Sequence, residues 1–361
     1  MVIIWNVNKS LTGMFGVTGE MGEKARKSHE RSGLIHTFMA DEEFSFGPFS
    51  IRPVKMDHSA YDSYGFIITD GADETTAFHT GDFRAHGLYG EEFWNTISSL
   101  PDVDAVVCEA TNIERGQDGV EPEWQIEERF KELFKQNKYN SVFVSSTNID
   151  RLFGIYRAAA EAGRIVLMDE YQYDILNSVI GKNDLMRNET ERFEFIDEAG
   201  SVVSDTYDPG YEFDKGLPFV LQLDRTFKKT PRFYIPDKLR RLMNWKGCVL
   251  IARSTPQFES LIESFPALQS KKYLSLWKGY LNPVSPAYNE GLAKSLGVVY
   301  EYVHTSGHAD VHTLETLLNH LNAAKIIPIH TENPKKFMET FSPHWPVLLL
   351  NDGESHLIID D

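Results

Sequence analysis

Residues 303–313 read VHTSGHADVHT: three histidines, a Ser306-Gly307 turn and Asp310 ahead of a helix-patterned stretch. Imidazole and carboxylate are the side chains that bind borderline divalent cations and move protons near neutral pH. A plainer reading competes, that of a polar loop whose Asp310 caps a helix. His304, His308 and His312 are spaced by four and could form a metal-binding helix face, but Ser306-Gly307 interrupts that helix. His312 reads instead as a solvated helix position. Further polar groups stand where apolar runs stop. His58 ends SIRPVKMDH, Asp82 follows AFHTG, Glu109 ends DAVVCE, Ser306 and His308 follow VVYEYVHT, and His330 ends KIIPIH. Singly, each is an ordinary turn or cap residue. In an open α/β sheet, however, ligands gather beyond the carboxyl ends of strands. Such a set would bind cations and transfer protons.

The elements that must carry these residues follow from periodicity. Strand patterns cover 49–56, 64–69, 75–80 and 104–110, separated by turns such as Asp70-Gly71 and Gly81-Asp82. A helix fits 121–137, opened by Pro122, with Ile126, Phe130, Leu133 and Phe134 on one stripe. From about 141 the rhythm becomes strand–helix–strand: SVFVSS, then a helix capped by Asn148 and stopped near Gly163, then RIVLM. This is a βαβ unit and implies a parallel sheet in an α/β fold. CVLIARSTPQFESLIESF (248–265) repeats the theme, with Ser254 and Gln257 spaced as a capping box. The last 60 residues give a strand at 298–303, a helix from Asp310, a strand at 325–329, a short helix opened by Asn333-Pro334, and closing strands VLLL and HLIID. Residues 171–245 show no order by pattern.

Composition bounds the class. With 361 residues and 42% apolar content the chain can build one large core or two medium ones. No apolar run approaches the roughly 20 residues of a membrane helix, and MVIIWNVNKS has no basic leader, so no membrane and no signal peptide are expected. Cys108 and Cys248 sit in apolar strand patterns and read as buried thiols of a reducing, cytoplasmic protein. A net charge of −17 opposes nonspecific wrapping by nucleic acid. One local exception is 225–247, where Arg225, Lys228, Lys229, Arg232, Lys238, Arg240 and Arg241 alternate with aromatics. It reads either as a solvated helix with its preceding loop or as a groove for phosphates and bases. SLWKGYL (275–281) supplies Trp277 to a cleft or to the core.

The chain resembles the metallo-β-lactamase superfamily, and within it the β-CASP nucleases of the ribonuclease J and mRNA 3′-end processing type. The resemblance rests on DHSAYDSYGF (57–66), FHTGDFRAHG (78–87), VVCEATN (106–112), HTSGHAD (304–310) and IPIHTENP (327–334), in order and with His308 and His330 22 residues apart. It implies a four-layer αββα fold over 1–122 and 300–361, incomplete at its start, with a β-CASP-like α/β domain inserted at 123–299. It also implies residue roles. His58 would be a terminal ligand of one metal, Asp82 the carboxylate bridging two, and His330 a ligand of the second. His308 would contact phosphate and protonate the leaving group, Glu109 would be the acid beside it, and Ser306 with the first amides of the following helix would hold phosphate. His79, His86 and His304 could stand around that site or be plain strand and loop residues.

The family's His-x-His-x-Asp-His motif is not in this chain, where no two histidines are two apart. In the family it precedes the strand that VIIWNVNK resembles, so the expectation is a chain starting just after it, whether by truncation, a split gene or loss of function. His58 with Asp82, and His330 with Asp82, give two protein ligands per ion, against three at a typical catalytic zinc. Two divalent cations, zinc or manganese, are therefore expected in a complete member, and weak or partial occupancy here. The implied activity is metal-dependent phosphodiester hydrolysis of RNA. Alternatives are a small-molecule hydrolase on the same scaffold and a noncatalytic RNA-binding scaffold. The partners implied are RNA and, as an option, a second copy of the chain in a homodimer.

Overall fold

Strand direction decides where the polar strand ends meet. The structure, a computed structural model, describes residues 38–114, 120–180, 219–224 and 232–358. The VIIWNVNK segment, Arg225, Lys228 and Lys229 lie outside them. Two compact units divide the chain.

One unit spans His36–Gln125 and Thr305–Asp361. Its six-stranded sheet has the order β1-β2-β3-β4-β5-β13, with β1 at Phe44–Phe46, β2 at Phe49–Met56, β3 at Ser63–Asp70, β4 at Thr76–His79, β5 at Ala105–Glu109 and β13 at Lys325–Ile329. β1 through β4 pair antiparallel, while β4, β5 and β13 pair parallel. Consequently β2, β4, β5 and β13 all run the same way and end at one edge of the sheet. The register places Val54, Ile67, Phe78, Val106 and Ile326 on one face, all buried. Helices α1 (Gly90–Ser98), α8 (Val311–Leu321) and α9 (Pro334–Phe341) pack there through Phe93, Ile97, Leu314, Leu317, Leu318, Phe337 and Phe341. Asp310 caps α8 by accepting from the Thr313 amide at 2.6 Å, and Asn333 caps α9 in the same way from Lys336. Both caps satisfy amides that a helix start would otherwise leave bare.

The other unit covers Ile126–His304 among the described residues. Its seven-stranded sheet has the order β12-β11-β6-β10-β7-β8-β9. The strands are β6 (Tyr139–Val144), β7 (Ile165–Asp169), β8 (Phe219–Leu223), β9 (Phe233–Tyr234), β10 (Cys248–Ala252), β11 (Ser270–Ser275) and β12 (Glu301–Tyr302). Every pair is parallel except β8 with β9. The helices are α2 (Glu123–Gln136, beginning at the unit boundary), α3 (Ile149–Glu161), α4 (Glu170–Ile180), α5 (Asp237–Lys246), α6 (Pro256–Glu263) and α7 (Glu290–Leu296). Wholly buried β6, β7 and β10 explain the apolar runs of this half, Asn140 and Ser141 of β6 excepted. This is a mixed α/β architecture of the metallo-β-lactamase-like kind.

Several local expectations differ from the structure. The Ser254/Gln257 capping box does not form; Thr255 is the cap residue of α6, with Pro256 opening the helix. Proline's fixed φ sets the start there without a side-chain cap. The strand expected at 298–303 shrinks to Glu301–Tyr302, since Val298 and Val299 are exposed. VLLL contributes only an isolated bridge at Val347, and the described part of HLIID forms no strand. Within 171–245, α4, β8 and β9 are ordered elements that the pattern did not show, and α5 is the solvated helix offered for the basic stretch.

Candidate metal centre

Four residues of the site sit at the common sheet edge. His58 follows β2, Asp82 follows β4, Glu109 ends β5, and His330 follows β13 with φ of 48°. Left-handed backbone is uncommon for a residue with a Cβ, and histidine is one of those that adopt it most often. Ser306 and His308 come from the irregular segment 303–310 before α8, so the helical His304/His308/His312 face does not exist. His312 is an exposed helix residue, His79 accepts the Gly81 amide at 3.0 Å within its strand turn, and His304 belongs to the other unit. Trp277 is half-buried in the other unit, not core.

The rings form a chain. His58 and His308 have centroids 5.3 Å apart, and His308 and His330 5.4 Å apart. His330 Nδ1 lies 2.9 Å from Asp82 Oδ1, and His308 Nδ1 lies 3.5 Å from Glu109 Oε1. Asp82, His308 and His330 each present one ligand atom, all within 4.8 Å of one another. The site opens from a fully buried Glu109 through His308, 22% exposed at the side chain, to His330, 55% exposed.

Electrostatics suit a cation. His58 is pushed down to about 4 by burial and by the adjacent His308, so it is neutral at pH 7. Its Nδ1 donates to the Gly307 carbonyl at 2.6 Å, because a carbonyl can only accept; the lone pair of the neutral ring is therefore on Nε2. Burial alone would raise Glu109. Its contacts with His308 and the Thr111 amide outweigh burial and hold the carboxyl below its ordinary value. A Cβ at Gly307 would lie 2.6 Å from Ser59 Oγ and 3.2 Å from Ser59 Cβ, so a larger residue there would displace Ser59.

Two imidazoles and a carboxylate with an open side make a donor set that fits zinc. His308 Nδ1, buried without a hydrogen-bond partner, lies beside Glu109 Oε1 at 3.5 Å. The pattern of strand ends did not single out Arg84, His86 and Asn112, which touch the 306–309 turn. Apart from the Asn112 bond to Ser306 Oγ, their hydrogen bonds to this turn go to main-chain oxygens, and such bonds leave no spacing signature.

Residues 296–341 match the family model described as the Zn-dependent metallo-hydrolase RNA specificity domain (RMMBL). No curated protein matches the chain in sequence. Among solved structures, the chain is similar to the crystal structure of a protein of unknown function from Enterococcus faecalis V583, with a TM-score of 0.60 and 19% identity over 89% of this chain. It spans 66% of that structure's length, and at this identity the likeness concerns the fold alone. Among the described residues no helix is long and apolar enough to cross a membrane. The matched segment holds Ser306, His308 and His330, and a match to that RNA specificity domain indicates the metallo-β-lactamase superfamily for this part of the chain.

Proposed function

We propose that the chain is a β-CASP, ribonuclease J-like protein whose site acts on the phosphodiester bonds of RNA. The observation that carries this reading is the convergence of Asp82, His308 and His330 within 4.8 Å at the edge of the sheet. These three residues would hold zinc, with the Nε2 lone pair of His58 as a further donor. Zinc bound there supplies a Lewis acid toward a phosphoryl oxygen. Glu109, held ionised, faces His308 Nδ1 and favours the proton on that atom, which leaves Nε2 for ligation or for proton transfer. Ser306 Oγ already accepts from Asn112 Nδ2 at 2.9 Å and from the His308 amide at 3.2 Å. Its own hydrogen is therefore directed to a further acceptor, and a phosphate oxygen answers that description. On this reading 1–122 and 300–361 form the metallo-β-lactamase-like domain and 123–299 the inserted β-CASP-like domain.

In the absence of the His-x-His-x-Asp-His motif, zinc is expected to bind weakly and RNA cleavage to be slow. Zinc per chain, measured by equilibrium dialysis across a range of free zinc, tests the site directly. Asp82→Asn combined with His330→Ala should abolish the binding; an unchanged stoichiometry would remove the assignment. His308→Ala separates its two roles: loss of zinc makes it a ligand, whereas retained zinc with lost cleavage of a labelled single-stranded RNA makes it the proton donor. Zinc and RNA binding without cleavage would favour the noncatalytic scaffold, a reading to which the absent motif gives weight.

A further inference from the structure

The Ser306–Ala309 turn is held by side chains on four successive carbonyl oxygens. Ser306 O accepts from His86 Nε2 at 2.7 Å and from Arg84 Nη1 at 3.3 Å. Gly307 O accepts from His58 Nδ1 at 2.6 Å. Asn112 Nδ2 reaches His308 O at 2.8 Å and Ala309 O at 3.1 Å, besides Ser306 Oγ at 2.9 Å. Its two hydrogens thus serve three acceptors, which fixes the orientation of the amide. The amide side of the turn is held too, since Ala309 N donates to Glu109 Oε1 at 3.1 Å.

None of the holding groups is a flexible surface chain. Arg84 is fully buried, paired with Glu123 at 2.8 Å and with Asp57 at 3.6 Å, and Asn112 is 3% exposed. His86 is neutral and donates from Nε2, so it has one fixed tautomer. The turn itself has no regular structure, and a loop without ladder hydrogen bonds takes its shape from such contacts. We propose that Asn112 and His86 are positioning residues that fix this turn, and thereby set Ser306 Oγ and the His308 ring toward Asp82 and His330. Arg84 completes the clamp, but its removal would take a buried cation from two buried carboxylates and so could not separate positioning from folding.

The proposal rests on the zinc-and-phosphate reading for its consequence but not for its geometry, and two measurements keep them apart. Asn112→Asp is isosteric and replaces a donor serving three oxygens by a carboxylate that repels them. His86→Gln keeps a donor, and His86→Leu removes it. Site-resolved hydrogen exchange of the His308 and Ala309 amides should accelerate about tenfold or more in Asn112→Asp and His86→Leu, stay near wild type in His86→Gln, and leave β6 and β10 unchanged. The zinc dissociation constant should rise about 10–100-fold in the same two variants, the range for residues that orient a ligand. Wild-type exchange at 308 and 309 in both variants would overturn the positioning role. Absence of zinc binding in the wild-type chain would overturn the zinc reading instead and leave the exchange result to decide this one. Should Asn112→Asp fail to fold, the contrast in exchange between His86→Leu and His86→Gln decides, and equal rates in the two would overturn the positioning role.

Discussion

His86 is a histidine kept from ionising. Burial, and after it the charge of Arg84, pushes it down to about 4 from an ordinary value near 6.5. Between those two values the unfolded chain binds a proton that the folded chain does not. Stability is therefore fully present above pH 6.5, is lost as pH falls through that window, and loses no more from this group below about 4. At roughly 1.4 kcal/mol per pH unit, the destabilisation at pH 4 is on the order of 3 kcal/mol. Replacing His86 by Gln keeps the hydrogen bond to Ser306 and removes the titration. The expected outcome, read from urea midpoints of the zinc-free protein between pH 7 and pH 4, is a shallower decline in the variant than in the wild type. Equal slopes would mean that the proton is taken up elsewhere. The same residue shows the limit of reading a site from pattern. His58, Asp82, Glu109 and His330 were visible because each stops an apolar run. His86 and Asn112 stop nothing, and their contacts to carbonyls 220 and 196 positions away exist only after folding.

Among the elements, α5 carries Lys238, Arg240 and Arg241 of the basic stretch, while Arg232 lies ahead of β9. Leu239 and Met243 face inward, while Lys238, Arg240 and Arg241 are exposed, and Trp245 is 40% exposed with Lys246 Nζ 4.2 Å from its ring. A helix with cations and an aromatic on its outer face can hold phosphates and stack bases. If single-stranded RNA lies on it, each phosphate neutralised contributes about −0.7 to the slope of log affinity against log salt. Alanine at Lys238, Arg240 and Arg241 together should then flatten that slope by about 2, and an unchanged slope would assign the helix to solvent alone. The legibility of the elements follows from how plainly they show a period. β7 and β10, and β6 from Val142, were legible because they are buried on both faces and read as apolar runs. Helix α4 was not, because Gln172 occupies the inward stripe beside Ile175, Leu176 and Val179, and a fully buried glutamine breaks the apolar period. Its presence has a cause. Asp169 Oδ1 accepts the Gln172 amide at 2.9 Å and Gln172 Oε1 accepts the Asp169 amide at 3.2 Å, a reciprocal cap at the helix start. The Asp-x-x-Gln spacing in DEYQ was therefore the available signal.

At the scale of the molecule, the two units each enclose one cysteine. Cys108 is buried in the core of the unit with the candidate metal centre, and Cys248 is buried in β10 of the other. Burial pushes both thiols up, so neither reacts as a thiolate until its surroundings open. Alkylation of each cysteine, followed separately by mass spectrometry, therefore reports the opening of its own unit. On the proposed reading, zinc held by Asp82, His308 and His330 would bind only the folded form of one unit. Its stabilisation is RT ln(1 + [Zn]/Kd), about 2.7 kcal/mol at 100 times Kd, or roughly a hundredfold slower labelling in the regime where opening is in rapid equilibrium. Cys108 should then be protected by added zinc while Cys248 keeps its rate, and Asp82→Asn should erase the protection. Equal protection of both cysteines would show that the units open as one cooperative body. Protection of neither, at zinc levels that saturate the dialysis isotherm, would place the bound ion away from the edge where β2, β4, β5 and β13 end.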